Sequence, residues 1–116
     1  MSNPWISQVK HQDPTTGINV GSPTLVKLDG GEILAAHDYQ GKGIYRQLEG
    51  DRYPTSVYRS DDHGLTWELT TDLQRTIWGT LFVNKGSVYL LGTSSDYGSI
   101  VIRRSDDAGS TWTDPA

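Results

Sequence analysis

Two stretches of this 116-residue chain concentrate side chains able to do chemistry. The first runs His37-Asp38-Tyr39, then Lys42, Tyr45-Arg46, Glu49 and Asp51-Arg52-Tyr53; the second is Ser95-Asp96-Tyr97. Carboxylates can transfer protons, guanidinium groups can hold a carboxylate or hydroxyls, and aromatic faces can carry a sugar ring. Asp38 is the candidate acid/base, because it directly follows an apolar strand and rigid strand ends are where sites are usually held. Tyr39, Arg46, Asp96 and Tyr97 are the candidate substrate-binding groups. Solvation accounts equally well for Arg46, Glu49, Asp51 and Arg52, since exposed loops carry such residues in any case. His37 has no second histidine nearby in sequence, so neither a metal site nor a cofactor is expected.

A second set of acids reads differently. Ser60-Asp61-Asp62-His63-Gly64-Leu65-Thr66-Trp67 recurs as Ser105-Asp106-Asp107-Ala108-Gly109-Ser110-Thr111-Trp112, both obeying Ser-x-Asp-x-Gly-x-Thr-Trp. Gly64 and Gly109 permit the positive φ of a tight turn. The Asp62 and Asp107 carboxylates, with the Ser and Thr hydroxyls, can satisfy turn amides that lack a strand partner. Trp67 and Trp112 supply an apolar plate beneath the turn. These acids are therefore expected to be structural rather than catalytic, and His63, where the second copy has Ala108, needs no role.

The surrounding elements are strands. Pro23–Leu28 and Glu32–Ala36 flank the turn Asp29-Gly30-Gly31; a polar loop from His37 to Pro54 leads to Thr55–Arg59, the first box and Trp67-Glu68-Leu69. Gly79–Val83, the turn Asn84-Lys85-Gly86, Ser87–Leu91, a loop Gly92–Gly98, Ser99–Arg104, the second box and Thr111–Thr113 repeat that plan. Trp5–Lys10 forms a further short strand, and His11–Gly17 a turn. No stretch has helical periodicity. The boxes recur 45 residues apart, from Ser60 to Ser105, which is blade spacing. The expected organisation is an arm over 1–19 and two four-stranded meanders over 20–70 and 76–116. In such meanders the first hairpins lie at the same end as the boxes. His37–Pro54, Gly92–Gly98 and the linker Thr70–Trp78 gather at the other end.

The two boxes resemble the Asp-box, or BNR repeat, of sialidase-like six-bladed β-propellers. Gly21-Ser22-Pro23-Thr24-Leu25 is similar to the opening blade of bacterial members. Ala36–Tyr39, Leu90–Ser94 and Val101–Ser105 are similar to a branch described as exo-sialidase-like. The resemblance covers residues 18–115. It implies an all-β fold, two blades of an incomplete propeller, and the N-terminal part of a glycoside hydrolase acting on a glycan at the end away from the boxes. Asp38 is the nearest match to the family's acid/base. Gly21, followed by Ser22-Pro23, stands where sialidases carry the first arginine of the triad that grips the substrate carboxylate. The alternative is a propeller that binds carbohydrate without cleaving it, with Tyr39, Tyr45, Tyr97 and Trp78 stacking on sugars, or one that serves as a structural or interaction repeat. The remaining blades, or further copies of the chain, are the expected protein partners.

Composition agrees. Thirteen glycines, four Trp and six Tyr against one Phe suit a turn-rich β protein. The net charge of −4 and scattered Lys and Arg argue against nucleic acid. The absence of Cys removes disulfides and thiolate chemistry without assigning a compartment. Met1–Ile6 carries no apolar run of signal length, and no stretch is long and apolar enough to span a membrane, so no membrane partner is expected.

Overall fold

The computed structural model describes residues 7–41, 54–94 and 98–116. It is built from two antiparallel sheets that pack face to face. The first contains β1 (Asn19–Lys27), β2 (Ile33–Gln40), β3 (Thr55–Ser60) and β4 (Glu68–Leu73) in that order; the second contains β5 (Ile77–Asn84), β6 (Ser87–Thr93) and β7 (Ile100–Ser105). Each strand pairs with its sequence neighbour, the meander of a propeller blade, and the pair of sheets forms part of a β-propeller. Among the described residues no helix is long and apolar enough to cross a membrane.

The core lies between the sheets. Leu34, Ala36, Val57 and Leu73 of the first sheet meet Leu81, Val88 and Leu90 of the second, with Trp112 packed alongside. Alternation decides which residues are chosen: Leu34 and Ala36 on β2, like Val88 and Leu90 on β6, are two apart and share a face. Leu81 is buried because β5 is the strand that lies against β1 and β2.

Several boundaries differ from the sequence expectation. Residues 7–10 of the expected strand Trp5–Lys10 are not in a strand; Ser7 instead contacts the first box, its hydroxyl donating to the Gly64 carbonyl and accepting from the Trp67 indole at 3.1 Å. Within 11–17, a single 3₁₀ turn, Pro14–Thr16, is capped by Asp13. The loop expected from His37 begins later, because β2 continues to Gln40 with His37 and Asp38 opposite Ser56 and Thr55. Polar residues extend this strand because polar partners across the ladder receive them. The linker Thr70–Trp78 shrinks to Gln74–Thr76, since β4 runs to Leu73 and β5 starts at Ile77.

The second sheet has three strands where four were expected. Thr113 and Ala116 do lie along β7, exchanging backbone hydrogen bonds with Arg104 and Ile102 at 2.9–3.1 Å. However, the Arg104 amide is taken by the Thr113 hydroxyl at 2.9 Å rather than by a backbone carbonyl. That side-chain substitution interrupts the ladder, so Thr111–Thr113 forms no strand.

Both boxes fold into one geometry. The Ser60 and Ser105 hydroxyls donate to Asp62 and Asp107 at 2.8 Å and accept from the Gly64 and Gly109 amides at 2.8 and 2.9 Å. Each Asp then receives the amide and hydroxyl of Thr66 or Thr111. Both carboxyls are held down to about 2, chiefly by the Thr hydroxyl and then by the Thr amide. The turn Leu28–Glu32, the turn at Gly86 and the second box border one shallow depression, so the hairpin turns and boxes share an end.

Candidate functional site

The opposite end is reached at the far ends of β2 and β5. Asp38 sits in β2 between Gly21 of β1 and Thr55 of β3 and is only 2% exposed. Its Oδ2 accepts the backbone N–H of Trp78, in the second sheet, at 2.9 Å. Gln40 Nε2 lies 3.4 Å from Oδ1. Gly21 makes room here, since a Cβ at that position would stand 3.1 Å from the Gln40 amide nitrogen. Trp78 occupies a bulge in β5 with φ of 52°, a conformation uncommon for a bulky residue, and the residue is 46% exposed. A buried carboxylate thus pins the backbone of an exposed tryptophan.

Tyr39 and His37 lie on the other face of β2, two residues apart, and face Ser56 and Tyr58, likewise two apart on β3. The His37 Nδ1 donates to the Asp38 carbonyl at 2.9 Å, so in the neutral ring Nε2 accepts from the Tyr58 hydroxyl at 3.0 Å. The rings of His37 and Tyr58 stack at 5.4 Å, and Tyr39 meets His37 edge-on at 4.9 Å. Ser56 Oγ donates to Asp72 Oδ1 at 2.5 Å, which makes Tyr39 the donor in its 2.8 Å bond to Ser56. Burial, helped by the neighbouring Tyr39, pushes the Tyr58 phenol well above its ordinary range. Serine, histidine and aspartate are all present, yet the Ser56 proton goes to Asp72 and His37 is bonded to Tyr58. This is not an activated nucleophile. It is a satisfied network fastening β2, β3 and β4.

Among the sequence-predicted groups, Asp38 and Tyr39 are therefore adjacent in β2 but turned to opposite faces. Arg46, Asp96 and Tyr97 lie outside the described residues, as do Lys42, Tyr45, Glu49, Asp51, Arg52, Tyr53 and Ser95. Sequence reasoning missed Ser56, Tyr58 and Asp72; the two-residue spacing in β3 was the available signal. It also missed Arg103, buried in β7, whose guanidinium donates to Thr76 Oγ1 at 2.9 Å, the Thr113 carbonyl at 3.0 Å and the Gln74 carbonyl. Arg103 thereby ties the linker between the sheets to the C-terminal segment. Among the described residues no group of His, Asp and Glu is arranged to hold a metal.

No family model matches the chain, and no curated protein does. Solved structures do. An α-L-arabinanase of Penicillium chrysogenum complexed with arabinobiose is 24% identical over 84% of this chain, with a TM-score of 0.64. The GH93 α-L-arabinofuranosidase of Fusarium graminearum, also with arabinobiose, is 19% identical over 81%, with a TM-score of 0.63. A family 117 glycoside hydrolase of the marine bacterium Zobellia galactanivorans is 16% identical over 90%, again at 0.63. The match takes in 31%, 30% and 40% of those chains, so this chain spans about a third of the length of the proteins it resembles. At these identities the likeness establishes the fold alone: the chain has the architecture of part of a β-propeller.

Proposed function

We propose that the chain is the glycan-engaging part of a glycoside-hydrolase propeller of the sialidase-like, Asp-box kind. A sugar ring lies on the Trp78 indole, and Asp38 is the acid/base of the completed site. Tyr39, Arg46, Asp96 and Tyr97 remain the candidate substrate-binding groups of this reading. The observation that carries this reading is the Asp38–Trp78 bond, which ties a buried carboxylate to the backbone of an exposed tryptophan at the end away from the boxes. Two further points support it. Both boxes have the same bonded geometry, and two structural neighbours hold arabinobiose. Gly21 in place of a carboxylate-gripping arginine favours a neutral sugar over sialic acid.

Hydrolysis needs two acidic groups, or their equivalents, flanking one bond. The chain alone is therefore expected to bind without turnover, and measurable cleavage of a chromogenic sialoside would contradict this. Titrating arabino-oligosaccharides into labelled protein should shift the Trp78 and Asp38 amides, and Trp78→Ala should weaken binding at least about tenfold, as the loss of a stacking face implies. Absence of any shift at millimolar sugar would overturn the reading. The deep burial of Asp38 favours a second reading, binding without catalysis. In a longer form that hydrolyses glycans, Asp38→Asn should slow the reaction by on the order of 10²-fold if Asp38 is the acid/base. A rate within a few-fold of wild type would assign it to positioning alone.

A further inference from the structure

The two sheets carry the same irregularity, and only the first braces it with charged and polar side chains. In β1 the register passes from Gly21, opposite Asp38, to Thr24, opposite Ala36, so Ser22 and Pro23 together oppose His37. In β5 it passes from Ile77, opposite Thr93, to Thr80, opposite Leu91, so Trp78 and Gly79 together oppose Gly92. Ser22 and Trp78 share a left-handed backbone, with φ of 49° and 52°. His37-Asp38 in the first sheet thus stands where the second has Gly92-Thr93. The second bulge forms without an imidazole or a carboxylate, so the bulge itself requires neither.

What His37 and Asp38 add is a chain of bonds from β3 to the other sheet. Pro23 has no amide hydrogen to give the ladder at the bulge. The His37 Nδ1–H supplies a donor beside it, to the Asp38 carbonyl at 2.9 Å. Nε2 of the neutral ring must then accept, and the Tyr58 hydroxyl lies 3.0 Å from it. On the opposite face, the Asp38 carboxylate takes the Trp78 amide at 2.9 Å. His37, Asp38 and Tyr58 are all buried, so water does not substitute for a missing partner. With the proton on Nε2 instead, the bare Nδ1 lone pair would face the Asp38 carbonyl oxygen and push that peptide away.

We infer that His37 is a positioning residue. Tyr58 fixes its Nδ1–H tautomer, and that N–H holds the Asp38 peptide so that the carboxylate reaches the Trp78 amide. The part His37 plays in glycan engagement rests on the function proposed above; its part in placing Trp78 does not.

Two substitutions separate this role from a simple fastening of β2 to β3. Asn sets an amide nitrogen where Nδ1 stands, whereas Gln sets one near Nε2, toward Tyr58. Hydrogen exchange of the Trp78 amide in the full chain reads the outcome without any sugar. His37→Asn should keep its protection within about threefold of wild type, and His37→Gln should lower it at least about tenfold, as the loss of a buried bond implies. The reverse order, or equal protection in the two variants, overturns the inference, because a fastening role favours Gln. Nitrogen NMR of the wild-type imidazole gives a reading that depends on no variant folding. The proton of the neutral ring should sit on Nδ1, and an Nε2–H ring contradicts the inference outright. Titration with arabino-oligosaccharides then addresses the site: affinity should fall in the order wild type, His37→Asn, His37→Gln. A wild type that binds no sugar removes the proposed function while the exchange order still supports His37 as the brace of Trp78. Equal sugar affinity in all three proteins removes His37 from the site.

Discussion

The Asp38 carboxylate accepts the backbone amide of Trp78, forty positions away and in the other sheet, at 2.9 Å. This bond joins the two sheets at the end opposite the boxes and holds Trp78 in its left-handed bulge. Removing the acceptor leaves a partly buried N–H unsatisfied. Asp38→Ala should therefore cost about 1–3 kcal/mol, and Asp38→Asn, which keeps a carbonyl oxygen, clearly less. Urea unfolding of the two variants measures the difference; equal losses would show that the bond contributes nothing.

The boxes set an acid limit to stability. The Asp62 and Asp107 carboxyls lie at about 2 in the fold, against about 3.9 for an unfolded Asp. A lowered carboxyl stabilises the fold above the unfolded value, and that contribution disappears as pH falls toward the folded one. The urea midpoint should drop between about pH 4 and pH 2. Asp62→Asn/Asp107→Asn should start lower at neutral pH and show a flatter acid limb. An unchanged slope in the double variant would contradict the assignment.

Tyr58 sets the alkaline counterpart. Its phenol is raised above the ordinary value near 10 by burial, so the fold favours the neutral form. That contribution is complete below the unfolded value and is lost as pH climbs through the folded one. Spectrophotometric titration should show one tyrosine ionising only together with alkaline unfolding, and Tyr58→Phe should remove that late step. Retention of the step in the variant would point to another tyrosine.

Gly64 and Gly109 occupy the same place in their boxes, with φ of 88° and 86°, but their surroundings differ. A Cβ at Gly109 would meet Leu34 Cδ1 at 2.9 Å, whereas at Gly64 the nearest atom, of Trp67, is 3.7 Å away. Both alanine substitutions suffer the left-handed backbone. Gly109→Ala adds overpacking against the core and should cost roughly 1–3 kcal/mol more than Gly64→Ala. Thermal or urea denaturation of the pair checks this, and equal losses would mean that Leu34 yields freely.

Much of the strand layout is legible in the residues. The β-branched runs Ser56–Arg59 and Ile100–Arg104 and the glycine turns at Gly31 and Gly86 mark strands and hairpins that the structure contains. Strand ends were harder to read. His37, Asp38, Thr71 and Asp72 look like loop or linker because their polarity is not that of a core. They extend their strands because Ser56, Thr55 and Val57 stand opposite them. Asp38 was readable as an acid at a strand end, but its burial and its partner Trp78 were not.

What the sequence determined alone is the pair of box turns. Every bond within each of them joins residues no more than four positions apart, so Ser, Asp, Gly and Thr at those spacings suffice to build the turn twice. What only the tertiary structure decided is which of two equivalent residues becomes core. Leu25 and Leu81 hold the same register in β1 and β5, and local sequence does not distinguish them. Leu81 is buried because a second sheet lies against it, and Leu25 is exposed because none of the described residues does the same on its side. Burial depends on what the neighbouring sheet covers, and that neighbour is set by long-range packing rather than by the residue's own segment.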